Sequence, residues 1–205
     1  MEQQNVVENL KEDLVQEATL KLVRYMFETM DCIAQDTLAE ELADIVKLHA
    51  KIAVGGVVTG MFVPGLDLAI AIGNVWTMYA RLNNMLGISF SKNLLKSIAT
   101  GVVTNLGAFA GVNLIMGTVF KFFPGIGTAA AVVTLSITIY GITMASGVIY
   151  MNILSALSKN KNIKNISEEE LKIATETFLQ NKEATKTIFE NAKSNYQEAK
   201  MRNDI

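Results

Sequence analysis

The chain has 205 residues, 18 basic and 20 acidic side chains, a formal charge of −2, and hydrophobic residues at half its positions. That length suits one cored domain with appended helices, and the charge balance excludes the basic face that nucleic acid requires. One cysteine, Cys32, excludes an internal disulfide and a thiolate zinc site, and one histidine, His49, excludes a histidine-rich metal site.

The charges divide the chain into three parts. Residues 1–50 carry 4 basic and 11 acidic side chains, residues 51–158 carry 5 and 1, and residues 159–205 carry 9 and 8. All 14 glycines, both prolines and the single tryptophan fall in the middle part. The expected organisation is acidic amphipathic helices over 1–50, a hydrophobic helical core over 51–158, and a linker with a C-terminal amphipathic helix over 159–205. The N-terminus lacks a basic-then-apolar leader, so export by the usual route is not expected.

In chain order, Val7, Leu10, Leu14, Ala18, Leu22 and Tyr25 recur three or four apart and predict a helix within 5–34. Thr37 and Glu40 have capping-box spacing and predict a new helix start, with Leu38, Leu42, Ile45, Val46, His49 and Ile52 on its apolar face. Pro64 and Gly65 end it. Asp67 is the expected N-cap of a helix over about 68–86, which breaks near Gly87. Ser91 is the expected cap of the next, running to about Phe122. Pro124 and Gly125 repeat the Pro64–Gly65 device sixty residues later, with Gly127 beside them and Thr128 as the following cap. A long helix to about Ser158 follows. Ser167 and Glu170 form a second capping box ahead of one final helix to about Asn203, striped by Leu171, Ala174, Phe178, Ile188, Ala192, Tyr196 and Ala199. No period-two strand pattern occurs. The fold class is therefore all-α: a helical bundle with a central glycine-rich hydrophobic hairpin and amphipathic flanks.

The centre of the chain is nearly uncharged. Ser97–Phe120 is a run of 24 residues without an ion, and Phe122–Ser158 is a run of 37. At 1.5 Å per residue the shorter run spans about 36 Å, enough for a hydrocarbon core of roughly 30 Å. Lysines 92, 96, 159, 161 and 164 flank the open ends of this hairpin, which the positive-inside rule puts in the cytoplasm together with both termini. Lys121 and its aromatic neighbours then form the tip. Gly56 with Gly60, and Gly107 with Gly111, are GxxxG pairs suited to close helix contact. Asn74, Asn105 and Asn113 are costly in lipid and are expected to face protein. The same composition fits a tightly packed soluble bundle around a buried hairpin, and residues 52–86 read as a buried or re-entrant corner more than as a span.

No catalytic constellation is legible. Asp67 is the lone acid between Lys51 and Ser158 and reads as a helix cap in preference to an ion site. His49 and Cys32 read as packed residues. "GIGTAA" lacks the following Lys-Ser/Thr and the preceding strand of a phosphate loop. Neither a metal nor another cofactor is expected, and the chain reads as non-enzymatic.

Residues 52–158 resemble the DUF697 family, the YcjF-like membrane region attached to small GTPases. The resemblance rests on Pro64, Asp67, Met78, Leu86 and Gly87, on "SKNLLKSIATG", and on the corner Phe123-Pro124-Gly125-Ile126-Gly127-Thr128. The EcsC-like family has a similar Pro-Gly corner and is the second match. The resemblance implies a membrane-associated helical region without catalytic residues, working with a GTPase that here would be a separate chain. The expected function is a non-enzymatic adaptor or scaffold at the cytoplasmic (inner) membrane, with the lipid bilayer, a GTPase or other protein, and a second copy of the chain as candidate partners. The alternative is a membrane-inserting or pore-forming helical protein, whose flanking helices shield the hairpin beforehand.

Overall fold

The computed structural model describes residues 35–58, 67–121, 128–159 and 161–201. The expected helix within 5–34, Cys32, and the corner residues Gly60, Pro64, Gly65, Pro124, Gly125 and Gly127 lie outside them. Six α-helices run through the described residues: α1 (Gln35–Val58), α2 (Asp67–Leu86), α3 (Lys92–Lys121), α4 (Thr128–Ser158), α5 (Glu168–Gln180) and α6 (Lys182–Met201). A 3-10 turn, Ile163–Asn165, precedes α5, and no strand occurs among the described residues. The all-α bundle expected from periodicity is the fold.

Local signals set most of the helix ends. Gly87 adopts φ 64°, a left-handed conformation open to glycine at little cost, and it closes α2. The Gly87 N–H donates to the Asn84 carbonyl at 3.2 Å and the Ile88 N–H to that of Asn83 at 3.0 Å, the paired bonds of a Schellman ending. Ser91 caps α3: its Oγ accepts from the Leu94 N–H at 3.3 Å. The Ser167–Glu170 capping box is fully formed at the start of α5.

Two expectations are corrected. Helix α1 is already running at Gln35, so Thr37 lies inside it and is not its N-cap. The single C-terminal helix is two. Asn181 ends α5 by donating its N–H to the Phe178 carbonyl, and its side-chain Oδ1 then accepts from the Ala184 N–H at 3.1 Å to start α6. Asparagine at such a joint satisfies orphan groups on both sides, which a reading by apolar spacing alone does not register. The stripe itself holds across the break: Leu171, Ala192, Tyr196 and Ala199 are buried, and Ala174, Phe178 and Ile188 are half-buried.

Helix α4 is the axis of the bundle and packs against each of the other five helices. Val46 of α1 meets Gly147 while Ala50 and Val54 cluster with Tyr140, so α1 runs antiparallel to α4. Tyr79 pairs with Ser146 and Asn83 with Tyr150, so α2 runs parallel to it. The core is continuous from Leu42 through Val75, Leu82, Val102 and Leu106 to Ile142, Ile149 and Leu154.

Candidate functional site

Two features concentrate the chemistry of this bundle: the apolar length of α4, and a seam of polar side chains buried between α1, α2 and α4. Val132–Ser158 is long and apolar enough to cross a membrane. It is the one such stretch among the described residues, and most of it is covered by its neighbours. Two hydroxyls of α4 are handled locally: Thr143 Oγ1 donates to the Ile139 carbonyl at 3.0 Å and Ser158 Oγ to that of Ser155 at 3.0 Å. Such bonds travel with the helix into any surroundings.

The seam begins at His49, which is 2% exposed. Asn74 Nδ2 donates to the His49 carbonyl at 3.0 Å, which turns Asn74 Oδ1 toward the ring. His49 Nδ1 lies 2.9 Å from that oxygen and must be the protonated nitrogen. Nε2 is left as an acceptor, buried and without a hydrogen-bond partner among the described residues. Burial, and then the charge of Arg81, hold the imidazole below its usual value of 6.5, against the Asn74 side-chain hydrogen bond that raises it. One helical turn and more along α2, the rings of Tyr79 and Tyr150 stack at 4.1 Å between centroids and 15° between planes. The Tyr79 hydroxyl donates to the Ser146 carbonyl at 3.1 Å, and the Tyr150 hydroxyl to Asn83 Oδ1 at 2.7 Å. Asn83 Nδ2 and Ser146 Oγ have no hydrogen-bond partner among the described residues. The seam thus holds α1, α2 and α4 in register by directional bonds. It offers no nucleophile beside a base, and no group of three or more His, Cys, Asp or Glu side chains that could hold a metal occurs among the described residues.

The lysine-bearing end of the hairpin is also organised. The Ser91 N–H donates to Glu168 Oε1 at 2.6 Å, which ties the start of α3 to the start of α5. Lys96 Nζ lies 4.9 Å from the centre of the Trp76 ring. Lys161 Nζ bonds both oxygens of Glu170 at 2.6 Å. The Lys161 bond first, and then the Ser167 backbone N–H and hydroxyl, pull the Glu170 carboxyl down to about 2. A carboxyl depressed on folding adds stability above its unfolded value near 4.5 and loses it as pH falls toward 2. Glu170→Gln is therefore expected to flatten the acid limb of the stability curve between about pH 4.5 and 2 by the same amount that it costs at neutral pH, a modest one because the pair is solvated. Thermal midpoints across that range check it, and an unchanged acid limb would refute it.

The structure distributes the sequence-predicted residues unevenly. Asp67 opens α2 and Thr128 opens α4, with the side chain of neither described. Gly56 is half-buried in α1, and Gly107 is half-buried in α3, the helix that also contains Gly111. Asn74 faces protein as expected, and the Oδ1 of Asn105 is buried. Two other glycines, Gly141 and Gly147 of α4, admit a neighbouring helix closely. A Cβ on Gly147 would lie 2.6 Å from Val46 Cγ1, and one on Gly141 would lie 3.2 Å from Phe189 Cε2. Their six-residue spacing matches no simple small-residue motif. The tyrosine pair has one signal in the sequence: a tyrosine in an otherwise apolar helix implies a buried hydroxyl in need of an acceptor.

No protein-family model, no curated protein and no solved structure matches this chain.

Proposed function

We propose that the protein is a non-enzymatic, membrane-associated bundle that carries α4 sheltered among amphipathic helices and delivers it to a bilayer when the bundle opens. The observation that supports this is the position of α4: the helix with membrane-crossing length and composition is the one that every other helix packs against. Its backbone bonds are internal to the helix, and the hydroxyls of Thr143 and Ser158 are bonded within it, so what passage from protein to lipid gives up is interhelical: the bonds of Tyr150 with Asn83 and of the Ser146 carbonyl with Tyr79. Helices α5 and α6 turn their apolar stripe to the bundle and leave most of their charged side chains exposed, as a removable cover does. A scaffold role beside a separate GTPase, the function that the resemblance of 52–158 implies, needs no such release and keeps the bundle closed.

A reversible lock separates the two readings. A Cβ at position 147 would lie 3.3 Å from Val46 Cβ, a few tenths of an ångström below the usual disulfide range of about 3.5–4.5 Å, so a small outward shift of α1 admits the bond. In a Cys32→Ser background, Val46→Cys removes the two crowding methyls, and the sulfurs of Val46→Cys and Gly147→Cys join α1 to α4. The reduced protein is expected to resist carbonate extraction from anionic phospholipid vesicles at some pH between 5 and 7.5. The oxidised protein should be extracted. Equal retention of both forms would show that α4 need not leave its cover, and extraction of both at every pH would overturn insertion.

A further inference from the structure

We infer that His49 is a proton-operated latch: a proton placed on its Nε2 loosens α1 from α2 and α4 and uncovers the axial helix. The latch rests on the preceding reading only for what the uncovered helix does next.

The argument starts from the tautomer. The two Asn74 contacts fix Nδ1 as the protonated nitrogen and leave Nε2 buried without a hydrogen-bond partner. In the neutral form an unpartnered imidazole acceptor is a tolerable defect. Protonation turns it into a buried cationic N–H donor with nothing to receive it, a far more costly group. The packed state then loses to any state in which water reaches Nε2.

Among the described residues the surrounding charges do not rescue the proton. On α2 the charged side chain described is Arg81, whose positive charge opposes another, and the titratable group is Tyr79, kept neutral by burial. On α4, Val132–Ser158 contains no charged residue, and its tyrosines, Tyr140 and Tyr150, are buried phenols. On α1 itself Glu40, Glu41, Asp44, Lys47 and Lys51 occupy exposed positions, with Lys47 Nζ 3.5 Å from Asp44. On α6, whose Tyr196 and Ala199 share the cluster of Ala50, Val54 and Tyr140, the described titratable groups around that cluster are the buried phenol of Tyr196, Lys193 paired with Glu190, and the exposed Lys200. None of these groups is hydrogen-bonded to the ring.

The position gives the proton leverage. His49 lies between Val46, which seats on Gly147, and Ala50 with Val54, which cluster with Tyr140. A shift of α1 large enough to hydrate His49 therefore withdraws cover from α4 at Gly147 and at Tyr140, two turns apart on one face. The sign is fixed by linkage: a histidine lowered on folding contributes stability above its unfolded value near 6.5, and that stability is lost as pH falls below it. Between pH 7.5 and 5.5 the unfolding equilibrium constant should rise up to about tenfold on this account.

The chain has one histidine, so imidazole nitrogen resonances report on His49 without assignment. At pH 7.5 they should show the Nδ1–H tautomer. On acidification the ring should gain its proton together with loss of α1 contacts to α4. The urea midpoint should fall between pH 7.5 and 5.5 in the wild type and stay level in His49→Gln. An Nε2–H tautomer, a ring that titrates at or above 6.5 with α1 still packed, or an undiminished pH dependence in His49→Gln would overturn the latch. If His49→Gln does not fold, the resonances decide alone. Acid loosening without vesicle insertion would refute the membrane reading and leave the latch standing, whereas insertion indifferent to pH and to His49→Gln would do the reverse.

Discussion

Gly147→Val is expected to destabilise the bundle by roughly 2–3 kcal/mol, the upper part of the range for overpacking a close-fitted core. A Cβ at this position would lie 2.6 Å from Val46 Cγ1 and 2.7 Å from Cγ2. The neighbour cannot give way. Val46 is 7% exposed, and a β-branched side chain in a helix has one strongly preferred rotamer. The strain therefore passes to the helices, which must separate along the line that also carries Ala50, Val54 and Tyr140. The better helix propensity of valine over glycine returns only a few tenths of a kcal/mol. Val46→Ala should recover much of the loss in the double variant, because it removes the two methyls that collide. Denaturant midpoints of the four proteins in a double-mutant cycle give the coupling. A Gly147→Val that leaves the midpoint in place, or a double variant no better than additive, would show that α1 and α4 are not in this contact. Gly73 is the control. A Cβ there meets nothing within 4 Å, so Gly73→Ala should be neutral or stabilising by up to about 1 kcal/mol.

That pair of glycines also shows where sequence reading stopped. Glycines 73 and 147 look alike in the chain, both inside apolar helices, and only the position of a second helix separates a tight contact from an open one. Helix ends were legible because their causes are local. Gly87, Ser91, Ser167 and Glu170 each act within a few residues of themselves, and each does what its type implies. The joint at Asn181 was missed for the opposite reason: the apolar stripe continues through it, so periodicity carried no mark of the break. Fold class was legible because a period near 3.6 and the lack of strand alternation are properties of the chain alone. The seam was not. Nothing in the spacing of His49, Asn74, Tyr79, Asn83, Ser146 and Tyr150 shows that they face one another across three helices. Helix α4 is buried on nearly all sides, and a helix that is apolar all round does not reveal which face meets which partner. The same property made α4 read as half of a membrane hairpin, when its length and composition belong equally to the axis of a bundle.

The second large effect is expected at Tyr150, where two variants separate packing from hydrogen bonding. Tyr150 is fully buried and stacked on Tyr79, and its hydroxyl donates to Asn83 Oδ1 at 2.7 Å. Tyr150→Ala removes the ring and leaves a cavity at the centre of the bundle, with a loss of about 4 kcal/mol, typical of truncating a large buried aromatic. Tyr150→Phe keeps the ring and the stack and deletes the donor. Asn83 is then left worse than half-satisfied, because its Nδ2 already has no hydrogen-bond partner and its Oδ1 loses the one it had. A buried amide with neither end paired costs about 1–3 kcal/mol, so Tyr150→Phe should be destabilising by about 2 kcal/mol although it removes a single oxygen. The decisive variant carries Asn83→Leu as well. With both polar partners replaced by apolar groups of similar size, nothing unpaired remains from the interaction, and the double variant should regain most of the stability lost in Tyr150→Phe. Urea midpoints of the single and double variants in buffer measure this. If Tyr150→Phe is silent, the hydroxyl makes no bond that matters to the packed state. If the double variant is less stable than Tyr150→Phe, the Asn83 side chain has a role in the core beyond accepting that one proton.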